Sequence, residues 1–207
     1  MAPPQAGESA QKPELPRLRN ASPFAISLPE WGVLIGVLTL LLAIFFPAWE
    51  AWRRHNRLAM ARSDIRAMQA AISRYQREYG TWPSESSPGA ADIRYGARRP
   101  NAVLMRILRS DANALDRESR LNPQHMIFIE IERYQKGFSG LNDSDEFLDP
   151  WGSPYQIALD SNYDGAVTIE NSIYGRVLGA GALIWSLGPD RKSETSDDLL
   201  SWDRIAH

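Results

Sequence analysis

Between Trp31 and Trp49 the chain reads WGVLIGVLTLLLAIFFPAW, 19 residues without a charge. A bilayer core requires about 20 apolar residues in a helix, so this run predicts a membrane-crossing helix. A cleaved secretory core is shorter, about 7–15 residues, and ends in an A-x-A-like site; no such site follows here. Trp49 and Trp52 fall where the chain would leave the lipid, as an aromatic belt does. Pro47 lies inside the helical pattern and predicts a kink or a loosened turn. Glu30 opens the apolar run. A carboxylate there either needs a partner or sits at headgroup level, where the positive end of the helix dipole favours it.

Charge is segregated along the chain. Residues 1–49 carry 3 basic and 3 acidic side chains, residues 50–79 carry 7 and 3, and residues 80–207 carry 13 and 19. A formal net charge of -2 argues against a protein that coats nucleic acid. Hydrophobic residues at 43% exclude disorder along the whole length. With no cysteine, the chain has no disulfide, thiolate metal site or cysteine nucleophile.

Residues 1–25 contain prolines at 3, 4, 13, 16 and 23, which rule out a continuous helix and predict a disordered leader. Past the apolar run, Leu58, Ala61, Ile65, Met68, Ile72, Tyr75 and Tyr79 recur at spacings of three and four. That stripe predicts a helix with one face on a core. A coiled-coil dimer is the alternative, but the stripe is short and holds Ala, Met and Tyr. Gly80 and Pro83 end the helix. One helix over 31–79 would be about 70 Å long.

The rest reads as short elements. Residues 84–99 read as a loop, 101–109 as a short helix with Asn101 near its cap, 126–131 (MIFIEI) as a strand and 137–146 as a loop. DPWGSP at 149–154 is a turn cluster followed by the strand YQIAL. DSNYDG at 160–165 predicts a hairpin-type turn with AVTIE returning, ALIWS at 182–186 is the last strand, and 187–201 is an acidic loop. The fold class is α+β, a long N-terminal and partly transmembrane helix packed on a small antiparallel β-sheet.

Four features together resemble the type IV pilin-like superfamily. These are a basic leader, a carboxylate shortly after a cleavage point, a long apolar helix and a proline inside it. A cut between Ala25 and Ile26 makes Ile26 the first residue, Glu30 the fifth and Pro47 the twenty-second, and both positions fit the family pattern. Ala25 stands where the family prefers Gly, and Ile26 where Phe is usual. DPWGSPYQ (149–156) and WSLGPDRKSETSDDLLSW (185–202) resemble the turn and closing loop of the major pseudopilin of the type II secretion system. The likeness covers 25–82 and 148–202, and 84–147 reads as an enlarged middle insertion.

The resemblance implies an organisation and a function. Residues 1–25 would be a prepilin leader, 26–52 the transmembrane half of the helix, 53–80 its amphipathic half, and 81–207 a pseudopilin body with a calcium-type loop at 187–202. A prepilin peptidase would cut after Ala25 and methylate the new amine on Ile26. In a fibre, Glu30 would meet the N-terminal ammonium of a neighbour's Ile26, a pair whose rupture costs about 3–5 kcal/mol when buried. Pro47 matches the place where family helices melt on assembly, freeing carbonyls that need new partners. The chain would sit in the inner membrane as a single pass, N-terminus cytoplasmic and body periplasmic. Its partners would be membrane lipid, copies of itself, other pseudopilins and an inner-membrane assembly platform, with no nucleic acid. A surface type IV pilus subunit and an uncleaved membrane-anchored binding protein are the other readings.

Calcium takes six to eight hard oxygens, and Asp190, Asp197 and Asp198 lie on one loop after Gly188-Pro189. A solvated acidic loop is the other reading of these residues. The resemblance adds the Leu187 and Thr195 carbonyls to a calcium set. Asp160-Ser-Asn162-Tyr-Asp164-Gly165 has the opening spacing of an EF-hand loop, but Asn171 stands where a bidentate Glu is required, so a β-turn is expected. His55, His125 and His207 are scattered, and HExxH, GxSxG and P-loop motifs are absent, so a structural subunit rather than an enzyme is expected.

Overall fold

The computed structural model describes residues 28–84, 91–97, 99–111 and 120–202. The expected leader, and with it Ala25 and Ile26, lies outside these residues. The chain divides into two compact units, Met1–Ala48 and Trp49–His207.

A single helix, α1 (Leu28–Tyr79), runs unbroken through Pro47. In the first unit its large apolar side chains, from Trp31 to Phe46, are exposed. Among the described residues this is the one helix long and apolar enough to cross a membrane, with a mean hydropathy of 2.3 over its most apolar 18 residues.

In the second unit the predicted stripe is buried. Ala61, Ile65, Met68, Ile72 and Tyr75 are core residues, with Ala71 beside them and Tyr79 at the edge. Gly80 ends the helix at φ +69°, and its N–H donates to the Gln76 carbonyl at 2.8 Å, which is the left-handed stop that glycine makes cheap.

The remaining elements are β1 (Ile93–Tyr95), α2 (Ala102–Arg109), β2 (Gly140–Leu141), β3 (Phe147–Leu148), β4 (Gln156–Leu159), β5 (Ala166–Thr168), β6 (Arg176–Leu178), β7 (Ala182–Ser186) and β8 (Leu199–Leu200). The main sheet has the order β1-β4-β7-β8, and every pairing is antiparallel. Two small ribbons, β2-β3 and β5-β6, complete the body. The stripe of α1 packs with Ile93, Tyr95, Ile157, Leu159 and Ile184 of the sheet and with Leu104, Met105, Ile107 and Leu108 of α2. The architecture is α+β, a helix on a small antiparallel sheet.

Several local expectations are corrected. MIFIEI (126–131) is not a strand. The N–H of Phe128 donates to the Leu108 carbonyl at the end of α2 (2.8 Å), which holds this segment to the helix rather than to a sheet. AVTIE does not return against β4 as a hairpin. Its strand, β5, pairs with β6 instead, while β4 lies between β1 and β7. The loops expected at 84–99 and 187–201 each contribute an edge strand, β1 and β8. In the described part of 84–147, Ile93, Tyr95, Leu104, Phe128 and Phe147 belong to the main core.

Asn101 precedes α2 but makes no side-chain cap. It is fully buried. Its Nδ2 donates to the Phe147 and Tyr155 carbonyls at 3.0 Å each, and its Oδ1 accepts from Phe147 N–H at 2.8 Å. One side chain thus satisfies three backbone groups at the junction of α2 and β3. Asn101→Ala takes its partner from the Phe147 N–H and the Tyr155 carbonyl, while the Phe147 carbonyl keeps the Tyr155 N–H at 3.0 Å; each unpaired buried group costs about 1–3 kcal/mol. We expect urea unfolding to show a loss of about 2 kcal/mol or more; a loss below about 1 kcal/mol would contradict this assignment.

Candidate functional site

The site grows out of the 149–154 turn. Asp149 is fully buried. Its Oδ1 accepts from Trp151 N–H (3.0 Å) and Ser153 N–H (2.9 Å), closing the turn as an aspartate side chain can. Its Oδ2 accepts from the Ser186 hydroxyl at 2.7 Å. Ser186 is the last residue of β7, and its Oγ accepts from Gly188 N–H at 3.1 Å. This relay joins the two motifs of the sequence, DPWGSPYQ and WSLG, and fixes where the closing loop begins.

The loop then folds on itself. Gly188 has φ +66°, and a Cβ there would collide with the Asp197 carbonyl oxygen, so the two ends of the loop touch at a glycine. The Asp197 Oδ2 accepts from Asp190 N–H at 3.0 Å. The Thr195 hydroxyl lies 2.6 Å from Asp197 Oδ1 and 3.4 Å from Asp190 Oδ1. Hydrogen bonds from Thr195 and from the Asp190 amide hold the Asp197 carboxyl below the usual carboxylate range.

Asp198 turns the other way, toward the body. Its Oδ2 accepts from Glu194 N–H (2.7 Å), Thr195 N–H (3.3 Å) and the Tyr174 hydroxyl. Burial and then the Asp198 carboxylate push the Tyr174 hydroxyl well above its ordinary pKa. Tyr174, Trp185 and Trp202 meet edge-to-face at centroid distances of 5.4–6.1 Å, forming an aromatic seat beneath the loop. Asp198 Oδ1 is buried with no hydrogen-bond partner among the described residues.

The expected metal residues therefore separate into two groups. Asp190, Thr195 and Asp197 are brought together at the surface, and Asp198 presents one satisfied and one orphaned oxygen from the inside. Leu187 is half-buried against the aromatic cluster. Among the described residues no three acidic, histidine or cysteine side chains converge on one point. A hard cation here would need backbone carbonyls to complete its shell, and the orphaned Asp198 oxygen is the feature that fits one.

The assembly residues lie elsewhere. Glu30 is exposed in the first turn of α1, and Pro47 is exposed inside the helix. The 160–165 loop closes on itself, with Asp160 accepting from the Asp164 and Gly165 amides and Asp164 paired with Arg176 at 2.9 Å. His55 and His125 are exposed, and His207 lies outside the described residues.

Sequence reasoning overlooked a half-buried carboxylate, a buried carboxylate and a buried amide. Asp64 on α1 accepts from the Tyr155 hydroxyl at 2.8 Å, and burial raises its carboxyl pKa. Asn122 donates to the Ile107 and Met126 carbonyls. The Asn-Pro pair at 122–123 signals a turn, and Asp-Pro-Trp-Gly signals the role of Asp149, but no local signal marks Asp64.

Burial also raises the Asp149 carboxyl above 3.8, against the opposing hydrogen bonds of Ser186, Ser153, Trp151 and Gly152. A carboxyl raised in the folded state binds its proton more tightly there than when unfolded. The stability it supports is complete below about pH 4 and falls as pH rises through the folded value. Denaturant melts of wild type and Asp149→Asn should show their difference moving in favour of the variant as pH climbs from about 4. A difference independent of pH would refute the raised carboxyl.

Comparison with family models, with curated proteins and with solved structures finds no match for this chain.

Proposed function

We propose that this chain is a pilin-like structural subunit, closest in kind to a major pseudopilin, and not an enzyme. It would be anchored by the first half of α1 in the inner membrane with its body in the periplasm. Removal of a leader after Ala25 would release the Ile26 amine for methylation and for pairing with Glu30 of a neighbouring copy. Copies would then assemble, with other pseudopilins and an inner-membrane platform, into a periplasmic fibre that moves proteins outward. The observation that carries this reading is one unbroken helix, Leu28–Tyr79, apolar and exposed early and amphipathic late, with Glu30 in its first turn and Pro47 inside it. The closing loop adds support, because Ser186, Asp149 and Asp198 tie the two family-like motifs into one structural unit.

The intact mass of the chain from membranes of its host tests this. A species that starts at Ile26 with one added methyl group on its amine is expected. A full-length species would refute processing and favour a fixed membrane-anchored binding protein.

Calcium would be held by the Asp190, Asp197 and Asp198 carboxylates with the Leu187 and Thr195 carbonyls. The ion would supply positive charge to a loop with four carboxylates and would cross-link its two ends. Saturation about 100-fold above Kd stabilises a fold by about 2.7 kcal/mol. Asp197→Ala should therefore lower Tm by about 5–10 °C more in calcium than in chelator, where only its hydrogen bonds to Thr195 and the Asp190 amide are lost. Equal melting of both proteins in calcium would exclude the site.

A further inference from the structure

The outer face of the second half of α1 is cationic. At about 100° per residue, Arg62, Arg66, Arg74 and Arg77 fall within an arc of about 120°, and all four are exposed. Small residues fill the arc between them, including Ser63, Ala70 and Ser73, and no carboxylate interrupts it. The nearby contacts leave the charges available. Arg66 Nε donates to the Arg62 carbonyl, and Arg74 lies 5.9 Å from the Phe128 ring centroid. None of the four forms an ion pair among the described residues.

A groove of about 410 Å³ carries the opposite sign. Glu130 and Glu132 line it and are exposed, and Asp64 lines it from α1. Its walls include Ile129, Ile131 and Phe138, the last 56% exposed. Arg133 also lines it, but that guanidinium lies 3.6 Å from Asp145 and donates to the Asn142 carbonyl. The groove therefore offers carboxylates to a guanidinium head and apolar walls to its methylene stem.

The ridge and the groove occupy neighbouring arcs of α1, and no ion pair joins them among the described residues. The helix residues that line the groove, Met60, Asp64 and Ala67, are centred about 110° around α1 from the ridge. We propose that the arginine ridge of one copy docks in the acidic groove of a second copy. Such a contact joins two different surfaces, so it repeats from copy to copy and generates an open helical array unless its rotation closes a ring. The inference rests on the self-assembly reading above and names the contact that would carry it.

Disulfide capture tests it directly, because the chain has no cysteine of its own. Chain processed in its host membrane and held in mild detergent is made as two forms, Ser63→Cys on the ridge and Gln135→Cys at the groove. Mixed and oxidised, the two forms should couple with each other about tenfold more than either couples with itself. Adding R62E and R66E to the ridge form should cut that yield about tenfold, and pairing it with a groove form carrying E130R and E132R should restore it. Thermal melts by circular dichroism should match wild type, since these side chains are exposed. Coupling of the ridge form mainly with itself, or a yield indifferent to charge reversal, would overturn the proposed contact. If wild type sediments as multimers while ridge and groove forms fail to couple, the contact falls and the fibre reading stands. If wild type from which the leader has been removed stays monomeric at every concentration, both fall.

Discussion

Burial of Ile65, Met68, Ile72 and Tyr75 on one face of α1 is the contact around which the body is built. Each such side chain is worth about 1.5–3 kcal/mol when withdrawn from water. The sheet alone could not provide this. Its strands are short, between two and five residues, and two of its four are edges. A small sheet needs a helix on its apolar face for independent stability, and here α1 and α2 supply it together.

Buried polar residues then give this apolar contact a single arrangement. Asn101 joins the start of α2 to β3 and to the residue before β4. Asn122 joins the end of α2 to the extended segment that follows. Asp149 joins the turn before β4 to the end of β7. In each case a short side chain pairs buried backbone or hydroxyl groups that a sheet of this size leaves over. Tyr155 belongs to the same logic. Its ring packs on Phe147 at 4.8 Å while its hydroxyl reaches Asp64 on α1, so one residue ties sheet, ribbon and helix.

The closing loop depends on the same framework. Its first end is held by Ser186 on Asp149, and its second by Asp198 above Tyr174, Trp185 and Trp202. Asp190, Thr195 and Asp197 between them face outward. Grouping these residues in advance was possible because they are close in sequence. The inward turn of Asp198 was not legible, because it depends on Tyr174, which is 24 residues away.

Much of α1 could be read from residue order alone. An uncharged run of 19 residues, a stripe at three- and four-residue spacing and a terminal glycine are local signals with local causes. The α+β class followed from alternating short runs and turns. Only the tertiary structure decided which strands pair. β5 joins β6 because β4 is already flanked by β1 and β7. MIFIEI alternates like a strand, yet its backbone is captured by the end of α2. The sequence by itself determined where apolar surface had to be buried and where it runs along a helix long enough to cross a membrane. Which polar groups closed the structure was decided by long-range packing, because buried hydrogen-bond donors and acceptors take whatever partner the fold brings within reach.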